Sequence, residues 1–286
     1  MCAGGVSVEA PFELVDEGLA ARLDARRPAT VRGYITAADP AAARAAFDSA
    51  TRDLGHLQAF ELRHIGELAT RVVHEEDWAE AWKEHFPVLR VGRRLVIRPT
   101  WRNHEPADDE VVITLDPGMA FGTGLHPTTR LCLASIEALA DRGLMHDASV
   151  LDVGCGSGIL SLAAALLGAR SVLGVDTDPL AVETTQRNAS LNGLSDRIQV
   201  RQGSVPLADV AHTFDIVVAN LVASLLIDLA RPLAATVKPG GVLVASGIFA
   251  DRESEVRKAF ESAGLQVVGT SRETDWVALE ARHVDS

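Results

Sequence analysis

Val150-Leu151-Asp152-Val153-Gly154-Cys155-Gly156-Ser157-Gly158 is the stretch that decides the fold of this chain. It opens as a short apolar run of buried-strand type. Three glycines at alternate positions then turn the backbone tightly before the helical run Ile159 to Leu167. A strand, a glycine loop and a helix start leave bare backbone at the carboxyl end of a parallel strand, where open α/β sheets bind their ligands. A second apolar run, Ser171-Val172-Leu173-Gly174-Val175-Asp176, ends on an acid about 20 residues beyond the glycines, the offset at which a carboxylate meets an adenosine ribose. The pattern predicts an adenosine compound as ligand.

Charge narrows the choice of compound. A dinucleotide fingerprint has the spacing G-x-G-x-x-G and offers a helix N-terminus to a pyrophosphate. Here the glycines are Gly154, Gly156 and Gly158, and Asp152 stands two residues before the first of them. A carboxylate at that point repels phosphate and favours a cation. S-adenosylmethionine carries an ammonium and a sulfonium and no phosphate, so these residues favour a methyl donor over NAD or FAD. The plainer reading, a glycine-rich turn with no ligand, leaves the timing of Asp176 unexplained.

With 286 residues, 47% of them apolar, the chain can fill one large core or two modest ones, and two domains are expected. The balance of 27 basic against 39 acidic residues gives a net charge of −12, which opposes diffuse binding to nucleic acid or anionic lipid and suits a basic protein partner. Its three cysteines, Cys2, Cys132 and Cys155, form neither an even framework nor a C-x-x-C pair, as expected in a reducing cytosol. No signal-peptide pattern opens the chain, and no apolar run approaches the ~20 residues that span a bilayer. A soluble cytoplasmic protein without membrane association is the expectation. The histidines show no H-E-x-x-H or Cys/His clustering, so no metal is expected.

The order of elements predicts three segments. Residues 1–70 read as a small α+β domain, with a strand at Thr30 to Thr36 and a helix from Asp39 to about Arg52 that Asp39 caps and Pro40 opens. Residues 71–110 read as a connection. It comprises a helix His74 to Phe86 with Trp78 and Trp82 on one face, a hairpin Val88 to Trp101 turning at Gly92, and an acidic linker Glu105 to Glu110. The hairpin's arginines read as a solvated face or, alternatively, as a local basic patch. Residues 111–286 read as the catalytic domain. Its strand from Val111 leads into the glycine-rich loop Asp116 to Arg130, and a helix starts near Pro127 with Thr128 and Thr129 in its first turn.

Regular alternation follows. Strands are expected at Ser171 to Asp176, Ile198 to Gly203, Phe214 to Asn220 and Gly241 to Gly247; helices from Pro179, over Ser224 to Val237 and over Arg252 to Ala263; and a closing strand pair at Leu265 to Arg272 and Trp276 to Arg282. Alternating βα units imply an α/β fold with a parallel sheet, and the final pair allows an antiparallel member. Asn220, at the end of an apolar strand, projects a carboxamide at the ligand end of the sheet. Its carbonyl can accept from the donor's ammonium or from an attacking amine, or it can cap the loop that follows.

The succession D-P-G-M-A-F-G-T-G-L-H-P-T-T-R-L-C-L, L-D-V-G-C-G-S-G-I-L, D-T-D-P-L-A, V-V-A-N-L-V-A, K-P-G-G and S-G-I resembles the bacterial ribosomal protein L11 methyltransferase family from about His74 to Arg282. The element F-G-T-G-x-H-P-T-T narrows the resemblance from methyltransferases in general. It implies a seven-stranded Rossmann-like methyltransferase sheet preceded by a small substrate-recognition domain, with S-adenosyl-L-methionine as methyl donor. It also implies transfer to lysine side-chain and N-terminal amines of the ribosomal protein. Donor contacts are implied at Thr129, Gly154, Asp176 and Asn220, with Phe121 in the loop over the site; Asn220, by its place at the strand end, is also the candidate catalytic residue. Leu125 stands where the family usually has threonine, and Gly203-Ser204 closes a strand where methyltransferases often place an acid for adenine. A methyltransferase for another protein lysine or a small amine would share every donor motif. Direct action on nucleic acid is not expected, because Asn220-Leu221-Val222-Ala223 lacks the proline and aromatic that stack a flipped base. His126 is the candidate general base, and a hydrogen bond that orders the loop is its alternative role.

Overall fold

The computed structural model describes residues 6–9, 12–15, 20–23, 30–33, 44–45, 47–52, 69, 86–116, 122–207 and 213–283. The chain divides into two compact units, Met1–Trp78 and Ala79–Ser286. In the first, β1 (Val6–Glu9) pairs antiparallel with β4 (Thr30–Gly33), and β2 (Phe12–Val15) with β3 (Ala20–Leu23). Residues 44–45 and 47–52 are helical, inside the helix expected after Asp39. The cap Asp39 with Pro40, Trp78 and Trp82, and Phe121 lie outside the described residues, as does all of the helix expected at 74–86 except Phe86.

The second unit is built on seven strands in the order β10-β9-β8-β11-β12-β14-β13. These are β8 (Ser149–Val153), β9 (Ser171–Asp176), β10 (Ile198–Gln202), β11 (Phe214–Asn220), β12 (Val237–Phe249), β13 (Leu265–Glu273) and β14 (Trp276–His283). The first five are parallel, and β14 runs antiparallel to both β12 and β13. Helices α1 (Pro127–Asp141), α2 (Ile159–Leu166), α3 (Pro179–Leu191), α4 (Ala223–Asp228), α5 (Ala230–Thr236) and α6 (Glu253–Ser262) belong to the same unit. Alternate residues of the central strands enter different cores. Val150, Ile216, Val218, Val242 and Val244 pack in the cluster that contains α1 and α2. Leu151, Val153, Val217, Ala219, Leu243 and Ala245 pack in the cluster that contains α4 to α6. Burial on both faces explains why these strands read as unbroken apolar runs instead of alternating ones.

Strand order reverses between β8 and β11: the chain leaves β8 toward β9 and β10 on one side, then returns to β11 on the other. This switch point opens a crevice at the carboxyl ends of β8 and β11, and the sequence places the glycine loop and Asn220 at those two ends.

A three-stranded sheet covers the α1 and α2 side. In it β5 (Leu89–Val91) pairs antiparallel with β6 (Leu95–Pro99), and β6 parallel with β7 (Val111–Leu115). The acidic stretch read as a linker, Glu105 to Glu110, therefore joins two strands of one sheet, and Glu110 is buried by pairing with His104 (2.6 Å) and Arg90. The compact unit begins near Ala79, ahead of the hairpin, because that sheet shares the apolar core of α1 and α2. Three of the hairpin's four arginines meet carboxylates within the unit, Arg90 at Glu110 and Arg93 and Arg94 at Asp141, and the fourth, Arg98, donates to Thr114 Oγ1 (2.7 Å). The basic-patch reading loses its basis there.

Two expected elements differ. The helix at Ser224 to Val237 is two helices that meet at Leu229, because Pro232 has no N–H for the Asp228 carbonyl and its ring clashes with that group. The strand at Gly241 to Gly247 extends from Val237 to Phe249, and a register shift against β11 between Phe214 and Ile216 absorbs Pro239-Gly240-Gly241.

One carboxylate docks the hairpin to α1. Glu137, almost wholly buried, accepts from Arg93 N (2.8 Å) and Arg94 N (2.7 Å) at the hairpin turn. Gly92 has φ +67, and a Cβ there would meet the Glu137 carboxylate, its carbon at 3.1 Å. Glu137→Ala should cost about 3 kcal/mol, since it strands two backbone donors of the turn. Urea unfolding measures this; a loss below about 1 kcal/mol would show that water replaces the carboxylate without penalty.

Candidate active site

The glycine loop is fastened to its neighbour strand by backbone. Gly154 N (2.8 Å) and Cys155 N (3.1 Å) both donate to Val175 O, and Gly154, Gly156 and Gly158 take φ of +75, +55 and +81. A Cβ on Gly154 would lie 2.6 Å from Leu221 Cδ2, and one on Gly158 would lie 2.7 Å from Thr185 Cγ2. The alternate glycines thus serve conformation and close approach together.

Asp176, at the end of β9, accepts from Gly156 N through Oδ2 (3.0 Å) and from Asp178 N through Oδ1 (3.0 Å). Each oxygen keeps a lone pair for a further donor, so the residue can latch the glycine loop and still receive two hydroxyls. Asp152 is 1% exposed. Its Oδ2 accepts from Ser161 N (3.1 Å) and Ser161 Oγ (2.7 Å), and its Oδ1 has no hydrogen-bond partner among the described residues. Burial raises the Asp152 pKa to about 6, the Ser161 hydrogen bonds pull it down, and the charge of Asp176 pushes it up. No cationic side chain among the described residues pairs with either carboxylate.

Asn220 closes β11, and its Nδ2 donates to Thr129 Oγ1 (3.4 Å) in the first turn of α1. Thr129 is buried, and the contact brings the helix start and the strand end together at the crevice. His126 is the N-cap of that helix: its Nδ1 accepts from Thr128 N (3.4 Å) and pairs with Thr128 Oγ1 (2.8 Å). A lone pair spent on the cap is unavailable to an incoming proton, so the geometry favours loop ordering over base catalysis. The imidazole also meets Trp276 edge to face with ring centroids 4.8 Å apart, and Trp276 meets Phe249 at 4.7 Å.

The loop ahead of α1 is pinned at both described ends. Asn188, fully buried on α3, accepts from Asp116 N (3.0 Å) and donates to Asp116 O (3.0 Å) and Ser157 O (2.8 Å). At the far end the Ser157 hydroxyl donates to Gly122 O (2.5 Å). Phe121 and its neighbours 117–120 lie outside the described residues. Arg130, one residue past Thr129, pairs with Glu273 on β13 and donates to Leu125 O.

The structure brings Asn220 to Thr129, and Asp176 to Gly156, as separate hydrogen-bonded pairs, while Gly154 meets the residue that follows Asn220. Sequence reading missed Ser157, Ser161, Asn188 and Trp276. Ser161 carried a visible signal, a lone hydroxyl in the otherwise apolar Ile159-Leu160-Ser161-Leu162-Ala163-Ala164-Ala165-Leu166. Asn188 and Asn192, four apart at the end of one helix and its C-cap, carried another.

Compared with known proteins, residues 18–284 match the family model described as ribosomal protein L11 methyltransferase. The chain belongs to this family. A ribosomal protein L11 methyltransferase of Herpetosiphon aurantiacus is 40% identical over 299 residues, covering 98% of this chain and 90% of the relative. Its counterpart in Chloroflexus aurantiacus is 42% identical over 304 residues with the same coverage. The crystal structure of a ribosomal protein L11 methylase from Lactobacillus delbrueckii subsp. bulgaricus superposes with a TM-score of 0.62 at 36% identity, covering 68% of this chain and 98% of that one. The family match extends to residue 18, well ahead of the motifs that carry the resemblance in sequence. Among the described residues no cluster of His, Cys, Asp and Glu could hold a metal ion, and no helix is long and apolar enough to cross a membrane.

The raised pKa of Asp152 has a defined consequence for stability. The folded state holds this proton more tightly than the unfolded chain, so stability falls as pH rises from the unfolded value, about 3.9, through about 6, and the full penalty stands above that. A shift of that size corresponds to ~3 kcal/mol. Asp152→Asn does not titrate, so its melting temperature minus that of the parent should grow between pH 4 and pH 7.5. A difference independent of pH in thermal melts across that range would remove the ionised, unpaired Asp152 from the picture.

Proposed function

We propose that this protein transfers methyl groups from S-adenosylmethionine to amino groups of ribosomal protein L11, at lysine side chains, the N-terminal amine or both. A ribosomal-protein substrate places the reaction in the cytoplasm. The observation that carries the reading is the pair of carboxylates at the glycine loop, Asp152 and Asp176, whose hydrogen-bond donors among the described residues are backbone N–H groups and the Ser161 hydroxyl, with no cation. Such a loop is suited to a positively charged adenosine compound and unsuited to a pyrophosphate. The residues present fit the donor. Asp152 Oδ1 is a buried acceptor without a partner among the described residues, Asp176 offers one free lone pair on each oxygen, and the positive-φ glycines leave backbone exposed between them. Gly154, Gly156, Thr129 and Asn220 would complete the contact, and Phe121 belongs to the loop whose ends Asn188 and Ser157 pin.

Bound there, S-adenosylmethionine supplies a methyl already activated on a sulfonium. The protein's task is then proximity and in-line orientation, worth up to ~7–11 kcal/mol in favourable cases. Thr129 engages the amide nitrogen of Asn220, which leaves the carbonyl oxygen to accept from an N–H of the incoming amine. That amine must arrive neutral. A lysine with pKa near ~10.4 is mostly protonated at pH 7, so desolvation on entry must lower that pKa and water must take the proton.

The direct test supplies isotope-labelled donor and the ribosomal proteins of the same organism to the full chain and locates the label by mass spectrometry. Label on L11 is expected. Label on another protein or a small amine alone would replace the substrate while keeping the donor.

Asn220 separates binding from chemistry. Asn220→Ala should lower kcat by ~10-fold or more and donor affinity by a smaller factor, because an interaction made mainly near the transition state is lost from rate. Asn220→Asp should also be slow, and partly rescued at alkaline pH, since its added carboxylate stabilises the protonated amine until free amine becomes abundant. Single-turnover rates and donor Kd between pH 7 and pH 10 decide it; equal losses in both, without rescue, would make Asn220 a donor-binding residue only.

A further inference from the structure

The seat of Asn220 is set by the residue that follows it. Leu221 N donates to Ser246 O (3.0 Å), and Leu221 Cδ2 occupies the space a Cβ on Gly154 would need. Its backbone lies against Gly247. Strand β12 is irregular there: its register with β14 slips between Ala245 and Ile248, and Gly247 takes φ +89. A Cβ built on Gly247 would overlap the Leu221 carbonyl oxygen and lie 2.6 Å from its carbon and 3.1 Å from Leu221 N. These are backbone atoms, so no side-chain rotation relieves the overlap; the peptide after Asn220 has to move.

We infer that Gly247 is a positioning residue of the methyl transfer: its missing side chain lets the bulge of β12 press against the Leu221 peptide and so holds the Asn220 carboxamide at Thr129. The assignment rests on the role given to Asn220 above. Purely structural need for glycine predicts something different, because left-handed φ alone strains any L-residue wherever it occurs. Gly264 provides the matched comparison, with φ +87 and no atom within 4 Å of the place a Cβ would take. Substitution there imposes the same backbone strain with no neighbour displaced.

The experiment compares full-length Gly247→Ala, Gly264→Ala and Asn220→Ala for melting temperature, donor Kd by calorimetry, and kcat with S-adenosylmethionine and ribosomal protein L11, all well below the melting points. Both glycine variants should melt earlier. Gly247→Ala should lose ~10–100-fold in kcat, the scale of a misplaced reacting group, and a smaller factor in donor affinity, whereas Gly264→Ala keeps parental kcat. Parental kcat in Gly247→Ala overturns the assignment. Parental kcat in Asn220→Ala instead overturns the role of Asn220 on which the assignment rests, so the two failures are distinct. Hydrogen exchange on the unsubstituted protein covers the case in which Gly247→Ala does not fold. Strong protection of the Leu221 amide before donor is added supports a seat preset by Gly247, and protection that appears only with donor overturns it.

Discussion

Val175 O receives two N–H groups from the turn that leaves β8, and much of the site follows from that pair of hydrogen bonds. A turn drawn onto β9 needs three residues at positive φ within five positions, which only glycine supplies without strain. The same pull sets Gly156 N against the Asp176 carboxylate and leaves Gly154 bare where Leu221 fills the space. Leu221 is the neighbour of Asn220. The glycine loop and Asn220 are thereby coupled through one leucine, and neither can be repacked without disturbing the other.

The amides of Asn188 and Asn192 solve a different problem. Strand β7 is the edge of its sheet, and an edge leaves backbone groups without partners. Asn192 accepts from Thr114 N (2.9 Å) and donates to Thr114 O (2.7 Å), while Asn188 does the same for Asp116. Each carboxamide reproduces the donor and acceptor of a missing strand. Because Asn188 also holds Ser157 O, the cap on the edge strand reaches the glycine loop, and the loop that contains Phe121 starts from a fixed point.

What was legible in the sequence was whatever is enforced locally. The apolar runs of β8, β9 and β11, the helix starts at Pro127 and Pro179, and the glycines at 154, 156 and 158 are decided within a few residues, and they stand where expected. The membership of β5 and β6 in the second unit was not legible, because it depends on Glu137 meeting backbone N–H groups more than forty residues away. An acidic, proline-bearing stretch such as Glu105 to Glu110 looks the same whether it links domains or joins two strands. The break at Leu229 was readable in principle from Pro232, but apolar residues continue on both sides and mask it. Among site residues, Asp152 and Asp176 announced themselves by spacing. Ser157 and Asn188 act through contacts 31 to 72 residues distant and could not.

Asp152 shows why such a site does not simplify under selection for stability. An apolar residue at the end of β8 would pack among Val153 and its neighbours without the desolvation that lifts this carboxyl to about 6. Ser161 offsets part of that penalty through Oδ2 only, and Oδ1 stays without a protein partner among the described residues. A second protein donor on Oδ1 would lower the pKa and stabilise the free protein, yet it would also occupy the acceptor that a cationic ligand needs. Under the proposed function, the incomplete hydrogen bonding of Asp152 is the form in which affinity for a positive charge is stored, and the surrounding two-sided sheet is what holds a desolvated carboxyl there.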